Sequence, residues 1–502
     1  MRYDVAIVGY GPTGMALAAF LGQLGRSVIV LERYQGLYNL PRAACWDDET
    51  MRSFQAMGIA EQMLPGTQVQ PGYHWVNGDG ETLLEIEYDN PGRCGWPQQY
   101  MMYQPHMEDV LDRHIQSLPS VEVQQGVTVT GVTEGAQGVT VSAQRADGTL
   151  MRVEAAYVVG ADGGNGPMRK HLGGALDDYN FMENWLVVDF EMRRPVEGLP
   201  SFRQVCDPKQ PIAIVNIGPK HHRFSFMLDP GDTREEVSKP ENVWPRVRDY
   251  LTPEDADLIR VANYTFTSAI VDQWRKGRIM LAGDAAHQMP PFLAQGMVSG
   301  IRDARNLAWK LDMVLSGYPD DLLDSYQPER EPHVRFITEK AIELGRVQTM
   351  RDPVKARARD ARMMAAHAAN QAPEKLRYPA LSGGMIATYG DLLPQGEITD
   401  GTRTGLFDDI AGRGWQIVTR DPTIPTTLSD ADRRDWAKIK GGTTVFGPNA
   451  LTDTSGTLTR WFDDTDCDTA ILRPDSYVYG ISNTAADLHS QLAQLFTSLG
   501  LR

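Results

Sequence analysis

The chain has 502 residues, too many for one ordinary hydrophobic core, so two or three domains are expected. Its apolar share of 42% and charged share of 23% are those of a soluble globular protein, and its net charge of -16 argues against a nucleic-acid partner. Four cysteines, Cys45, Cys94, Cys206 and Cys467, contain no CxxC pair, which argues against a disulfide framework, a metal site or a dithiol centre and makes the reducing cytoplasm the expected compartment.

Chain order begins with VAIVGYGPTG at residues 5–14. Val5 to Val8 suit a central parallel strand, and the glycine turn leads into an apolar helix over residues 13–24. In such a unit Gly9 permits the turn, Gly11 lets backbone approach a pyrophosphate, and Gly14 lets helix and strand pack closely. The helix N-terminus offers free N–H groups, from Thr13 on, and a positive dipole end to phosphates. A second strand over 27–31 ends in Glu32, followed by Arg33, at the distance where a carboxylate binds ribose hydroxyls. Arg2 and the apolar residues up to Leu24 superficially resemble a secretion signal, but Asp4, the glycine turn and Pro12 interrupt it. No run of about 18 apolar residues offers a membrane span.

LPRAACWDDETMRSFQAMG follows at residues 40–58. Asp47 or Asp48 is placed to cap the next helix, and Arg42 precedes that cap. Gln104 opens a further helix with Met107, Val110, Leu111 and Ile115 on one face. Short strands are expected at 121–123, 127–132, 139–143 and 151–159, the last entering the main sheet ahead of Asp162-Gly163. An acid at that strand end can cap the short helix carrying Arg169.

Residues 178–274 read as a strand-rich unit. In HHRFSFML, period-two alternation puts His222, Phe224, Phe226 and Leu228 on one face and His221, Arg223 and Ser225 on the other. One face should line a pocket, and the His222 face is chosen here. Arg203 or Arg223 could pair with an acidic substrate. The third informative segment is GRIMLAGDAAHQMPPFLAQGM at 277–297. A strand over 278–282 ends at Gly283-Asp284, Pro290-Pro291 force an extended loop, and Gly296 and Met297 open a long helix with Ile301, Ala304, Ala308, Leu311 and Leu315 buried. A basic helical stretch over 346–377 reads as a solvated face. Residues 390–502 read as a small α/β domain ending in a helix over 485–499.

GYGPTG, PRA–x3–DDE, Gln104, ADG with Arg169, and GDAAH–x2–PPF–x2–QGM–x4–RDA–x–NLAWKL together resemble the group A flavoprotein monooxygenases typified by para-hydroxybenzoate hydroxylase. Within them the chain is most similar to the (3-hydroxyphenyl)propionate hydroxylase and phenol hydroxylase branch. The resemblance implies an α/β fold in which a doubly wound FAD-binding domain (1–177 and 275–389, the latter with a helical region) is interleaved with an antiparallel-sheet substrate domain (178–274). A thioredoxin-like domain without redox cysteines (390–502) completes it. FAD would be held by Gly9, Gly11, Pro12, Thr13, Gly14, Glu32, Arg33, Arg42, Gln104, Val127, Asp162, Asp284, Pro291, Gln295, Gly296 and Met297. Arg203, His222, Phe224, Pro290 and Phe292 would meet the substrate, with Pro291 at the reacting face and His222 as candidate base. The implied reaction is hydroxylation of a small, phenolic aromatic substrate by O2, with NADPH or NADH as co-substrate, through a flavin C4a-hydroperoxide.

Two departures are visible: Gly166-Pro167 stand where many members have a serine after Asp-Gly, and Ala294 stands where many have glycine. The resemblance also allows a homodimer without membrane contact. Alternatives are a monooxygenase tailoring a polyketide-like aromatic, or a non-catalytic FAD-binding interaction protein. WxWxIP, expected of a flavin halogenase, is absent, and Cys45 lacks the partner a disulfide reductase needs.

Overall fold

A computed structural model describes residues 2–371, 376–447 and 450–502. The apolar run at the start forms the strand Arg2–Val8, central in a sheet of eight strands. It pairs in parallel with Val28–Glu32 on one side and Leu150–Gly160 on the other. Val121–Gln125 and Ile279–Leu281 extend the parallel core outward. Val139–Arg145 and Val127–Glu134 join as an antiparallel flap. Three stretches far apart in sequence therefore end side by side: Gly9 after the first strand, Asp162 after the second and Gly283 after the third. The helices Pro12–Gln23 and Gly296–Leu315 pack against one another within this sheet's core.

A second, seven-stranded sheet runs in the order Ala256–Phe266, Glu183–Met192, His221–Met227, Ile212–Asn216, Phe202–Val205, Gly72–Val76, Thr82–Glu87. Its last two strands come from residues 72–87, ahead of the 178–274 segment, and Gly72–Val76 pairs in parallel with Phe202–Val205. One face is apolar and closed by the helices Arg234–Val237 and Pro240–Val247. The other face looks toward the first sheet.

Near the C-terminus a four-stranded sheet runs Gly442–Val445, Gln416–Thr419, Thr469–Leu472, Val478–Ser482, the first pair parallel and the others antiparallel. The final helix, Ala485–Ser498, supplies Leu488, Leu492 and Leu495 to a core that also takes Trp309 and Met313 from the long helix. Buried ion pairs cross the same boundary: Arg473 reaches Glu329, which also holds Lys310, at 2.8 Å each, and Arg52 meets Asp408 at 2.6 Å.

The stretch expected as a solvated basic face forms the end of Tyr326–Gln348 and the helix Pro353–Ala368, with residues 372–375 outside the described residues. One of its arginines is not solvated. Arg359 is buried, donating to the carbonyls of Val347 and Cys206 and pairing with Asp360. No helix among the described residues is long and apolar enough to cross a membrane.

Candidate active site

The two sheets enclose a cleft of about 2100 Å³. At one end lies the glycine turn. Gly9 has φ +106°, and a Cβ there would sit 2.3 Å from the Ala161 carbonyl oxygen. A Cβ on Gly14 would meet the Gly9 oxygen at 2.2 Å. Gly11 is different, because a Cβ there meets nothing within 4 Å. Two glycines serve packing, while the third faces open cleft. No side chain caps the helix that follows, and Pro12 carries no N–H, so the first available N–H groups are those of Thr13 and Gly14. Thr13 faces the cleft with its backbone, its hydroxyl being wedged between Gly283 and Gly300.

Glu32 stands at the end of its strand and accepts from the backbone N–H groups of Tyr10 at 2.7 Å and Tyr34 at 2.9 Å. Arg33 and Val127 line the same end. Gln104 is buried and accepts from the N–H groups of Arg42 (3.0 Å) and Ala43 (2.6 Å), so it shapes the loop beneath the cleft. The Arg42 guanidinium projects into the cleft mouth, 3.6 Å from Glu108 and over the Tyr38 ring. Asp162 caps Met168 at 2.9 Å, and Gly166 leaves room for its carboxyl, since a Cβ there would fall 2.0 Å from the Asp162 Cγ. Its other oxygen, Oδ1, is buried without a partner among the described residues, and burial raises its pKa.

At the far side, Asp284 sits on the turn Gly283–Ala285 with its carboxylate open to the cleft and making no hydrogen bond to any described residue. Enclosure by protein raises its pKa. The adjacent histidine of GDAAH is locked, His287 Nε2 lying 2.6 Å from Asp303, which also holds Arg330 at 2.9 Å. Pro290 is buried, Pro291 opens the turn Pro291–Leu293, and Phe292 meets the rings of Phe181 and Trp185 near 6 Å. Ala294 carries φ +55°, the left-handed conformation glycine would adopt freely. Gln295 precedes the long helix without capping it by side chain, accepting instead from Arg302 at 2.8 Å. Gly296 and Met297 therefore expose the positive end of a 20-residue helix to the cleft.

The expected substrate face is corrected. His222 and Phe224 point into the apolar core under the helix Pro240–Val247. Neither lines the cleft. Burial drives His222 down to a pKa of about 4, and its Nε2 has no partner among the described residues. Arg203 shares that outer side, its Nε sealed and without a partner among the described residues. Alternation told which residues share a face; covering helices decided which face was hidden. The opposite face supplies the cleft wall through Trp185, Val187, Gln204, Ala213, Val215, Arg223 and Ser225.

Several groups that sequence reasoning missed hold this wall. Asp189 is buried between Arg223 (2.6 Å) and Arg260 (3.1 Å), and both arginines donate to the Pro41 carbonyl. Arg302 is buried against Glu49 (2.7 Å) and Asp47, joining the PRA–x3–DDE segment to the long helix. Asp47 also caps its own helix through Thr50 at 3.0 Å, as expected. Asp48, enclosed beside Asp47, is pushed up to about 7. The DDE run and the RDA arginine were both visible in sequence, but nothing there paired them.

A family model described as an FAD binding domain matches residues 2–341, and a second, described as the HcaD C-terminal domain, matches 390–498. The chain belongs to this FAD-binding family, the group A flavoprotein monooxygenases, and is an FAD-dependent, NAD(P)H-consuming aromatic hydroxylase. A probable NADH-specific resorcinol 4-hydroxylase from Rhodococcus jostii (strain RHA1) is 63% identical over 503 residues, 99% of this chain and 95% of the relative. A 3-(3-hydroxy-phenyl)propionate/3-hydroxycinnamic acid hydroxylase from Mycolicibacterium smegmatis (strain ATCC 700084 / mc(2)155) is 32% identical, covering 99% of this chain and 92% of its own. The flavin-dependent monooxygenase PieE, solved with FAD and substrate, shares the fold with a TM-score of 0.85 at 21% identity over the whole of both chains.

Proposed function

We propose that the chain hydroxylates an uncharged dihydroxybenzene of the resorcinol type, with NADH as reductant and dioxygen as oxygen source. The observation that carries this reading is that both buried arginines lining the cleft, Arg223 and Arg302, are already neutralised by Asp189 and by Asp47 with Glu49. A carboxylate taken into that part of the cleft would find no unpaired buried arginine among the described residues, and a desolvated unpaired charge costs several kcal/mol, on the order of 3–5. A neutral diphenol carries no such penalty. The 63% likeness to a resorcinol hydroxylase points the same way.

Open space at Gly11, the uncapped helix start at Pro12 and the unpartnered Asp284 carboxylate fit a dinucleotide lying along the cleft. Gly11 to Thr13 would take the diphosphate, Glu32 and Arg33 the adenosine end, and Asp284 a hydroxyl of the ribityl chain. Bound FAD supplies electron transfer from NADH and the activation of dioxygen. The exposed start of Gly296–Leu315 would stabilise negative charge at the flavin edge, a dipole effect worth up to about 2 kcal/mol when partly buried. Pro290, Pro291 and Phe292 wall the reacting side and exclude water. The strand order of the C-terminal sheet supports a thioredoxin-like unit, in which Cys467 is buried and alone.

The test is anaerobic stopped-flow reduction of the holoenzyme by NADH. Resorcinol should accelerate reduction and, with oxygen, yield 1,2,4-trihydroxybenzene, whereas 3-(3-hydroxyphenyl)propionate should do neither. Stimulation by the acid and not by resorcinol overturns the reading.

A further inference from the structure

Tyr73, Tyr88 and Tyr378 are among the tyrosines that line the cleft. Tyr73, on the strand Gly72–Val76, stacks on Phe202 at 4.0 Å and meets the edge of Trp75 at 5.9 Å. Its hydroxyl accepts from Gln348 Nε2 at 3.3 Å. Gln348 lies one turn beyond Gly345, where a Cβ would strike the Phe292 ring at 2.5 Å, so this tyrosine is held next to the loop that walls the reacting side. Tyr88 and Tyr378 line the same cleft, the Tyr378 ring lying 5.4 Å under the paired Arg302 guanidinium.

None of the three hydroxyl protons has an acceptor among the described residues. Nor will they leave as protons: burial, with Cys45 and Asp47 nearby, holds the tyrosines neutral. Trp75, buried at the same wall, packs its ring edge-on against Tyr73. A cavity lined with neutral donors and rigid rings, and with its buried arginines cancelled, is built for oxygens on a flat aromatic ring.

We propose that Tyr73, Tyr88 and Tyr378 are the residues that read the two ring hydroxyls of the substrate, with Gln348 fixing Tyr73, so that a ring bearing two free hydroxyls is chosen over one bearing a single hydroxyl. This rests on the diphenol reading above. A site that hydrogen-bonds a substrate hydroxyl rejects the analogue that cannot complete the pattern.

The experiment compares kcat/KM for resorcinol and phenol, which lacks the second ring oxygen, in the holoenzyme and in Tyr73→Phe, Tyr88→Phe and Tyr378→Phe. FAD content and substrate-free NADH oxidation serve as controls for folding. The wild type should prefer resorcinol, and Tyr73→Phe should lower that preference about tenfold, the size of one hydrogen bond to a strongly polar partner, mainly through KM. Tyr88→Phe and Tyr378→Phe should each lower it in the same sense. An unchanged preference in all three variants with FAD retained overturns the proposal alone. A wild type that hydroxylates neither compound overturns it together with the functional reading. Should Tyr73→Phe lose FAD, Gln348→Leu, which frees the Tyr73 hydroxyl without touching its ring, gives the same comparison, and an unchanged preference there counts equally against it.

Discussion

The two ends of the cleft are built on opposite principles. The nucleotide end is made of backbone: a glycine turn, two uncapped helix starts and a few carboxylates at strand ends. The aromatic end is made of side chains drawn from many strands, with buried charges cancelled pairwise behind its surface. Backbone sites depend on local sequence at fixed spacing. Side-chain sites depend on which face of a sheet other elements leave uncovered.

The sharpest way to break the comparison is at the glycines. Gly9→Ala, with its Cβ 2.3 Å from a carbonyl and φ at +106°, should yield protein that is unfolded or free of flavin, seen as loss of the yellow absorbance on purification. Gly11→Ala, with nothing within 4 Å, should fold with unchanged apoprotein Tm yet bind FAD at least tenfold more weakly, because one added methyl occupies ligand space. Equal behaviour of the two variants would erase the distinction between packing and ligand-facing glycines.

Next in size is the charge-cancelled side. Arg302→Met leaves Asp47 and Glu49 buried without their cation and should cost about 3–5 kcal/mol in urea unfolding. A loss below 1 kcal/mol would mean water reaches that pair.

The smallest effect concerns the hidden face. His222 has its pKa lowered from 6.5 to about 4 by burial, so the folded protein resists a proton that the unfolded chain accepts. Stability contributed by the neutral ring is therefore full above pH 6.5, falls as pH drops toward 4, and changes no further below that. The full drop is about 3 kcal/mol. His222→Leu should flatten that part of the stability-against-pH curve while leaving the KM for the aromatic substrate unchanged. A change in KM would return His222 to the cleft.

Legibility in the sequence divides along the same line. Val5–Gly14, Glu32, Asp284 and Gln295–Met297 were readable because strand, turn and helix start are consecutive residues. The structure gathers these segments at one end of one sheet. The cleft wall formed by the seven-stranded sheet was half readable. Alternation correctly separated His222 from Arg223, but the covering helices at 234–247 come later in the chain, and no periodicity says where they land. Tyr73 and Tyr88 escaped notice because they precede the strands they join in space, Gly72–Val76 pairing with Phe202–Val205 across some 130 residues. Arg359 was misjudged for a similar reason: a basic helix looks solvated until a second sheet closes over it.

The long helix Gly296–Leu315 has its first turn in the cleft and its later turns fastened to residues 473–479. Arg305 donates to the Ser476 hydroxyl at 2.8 Å, Asn306 and Trp309 both donate to Asp475, and Tyr477 reaches back to Glu49. For chain shuffling between relatives, residues 390–502 are consequently not a free cassette. An exchange that imports a foreign C-terminal segment without matching partners at 49, 305, 306 and 309 would loosen the very helix whose start faces the cleft, so the two parts are expected to be inherited, and to diverge, together.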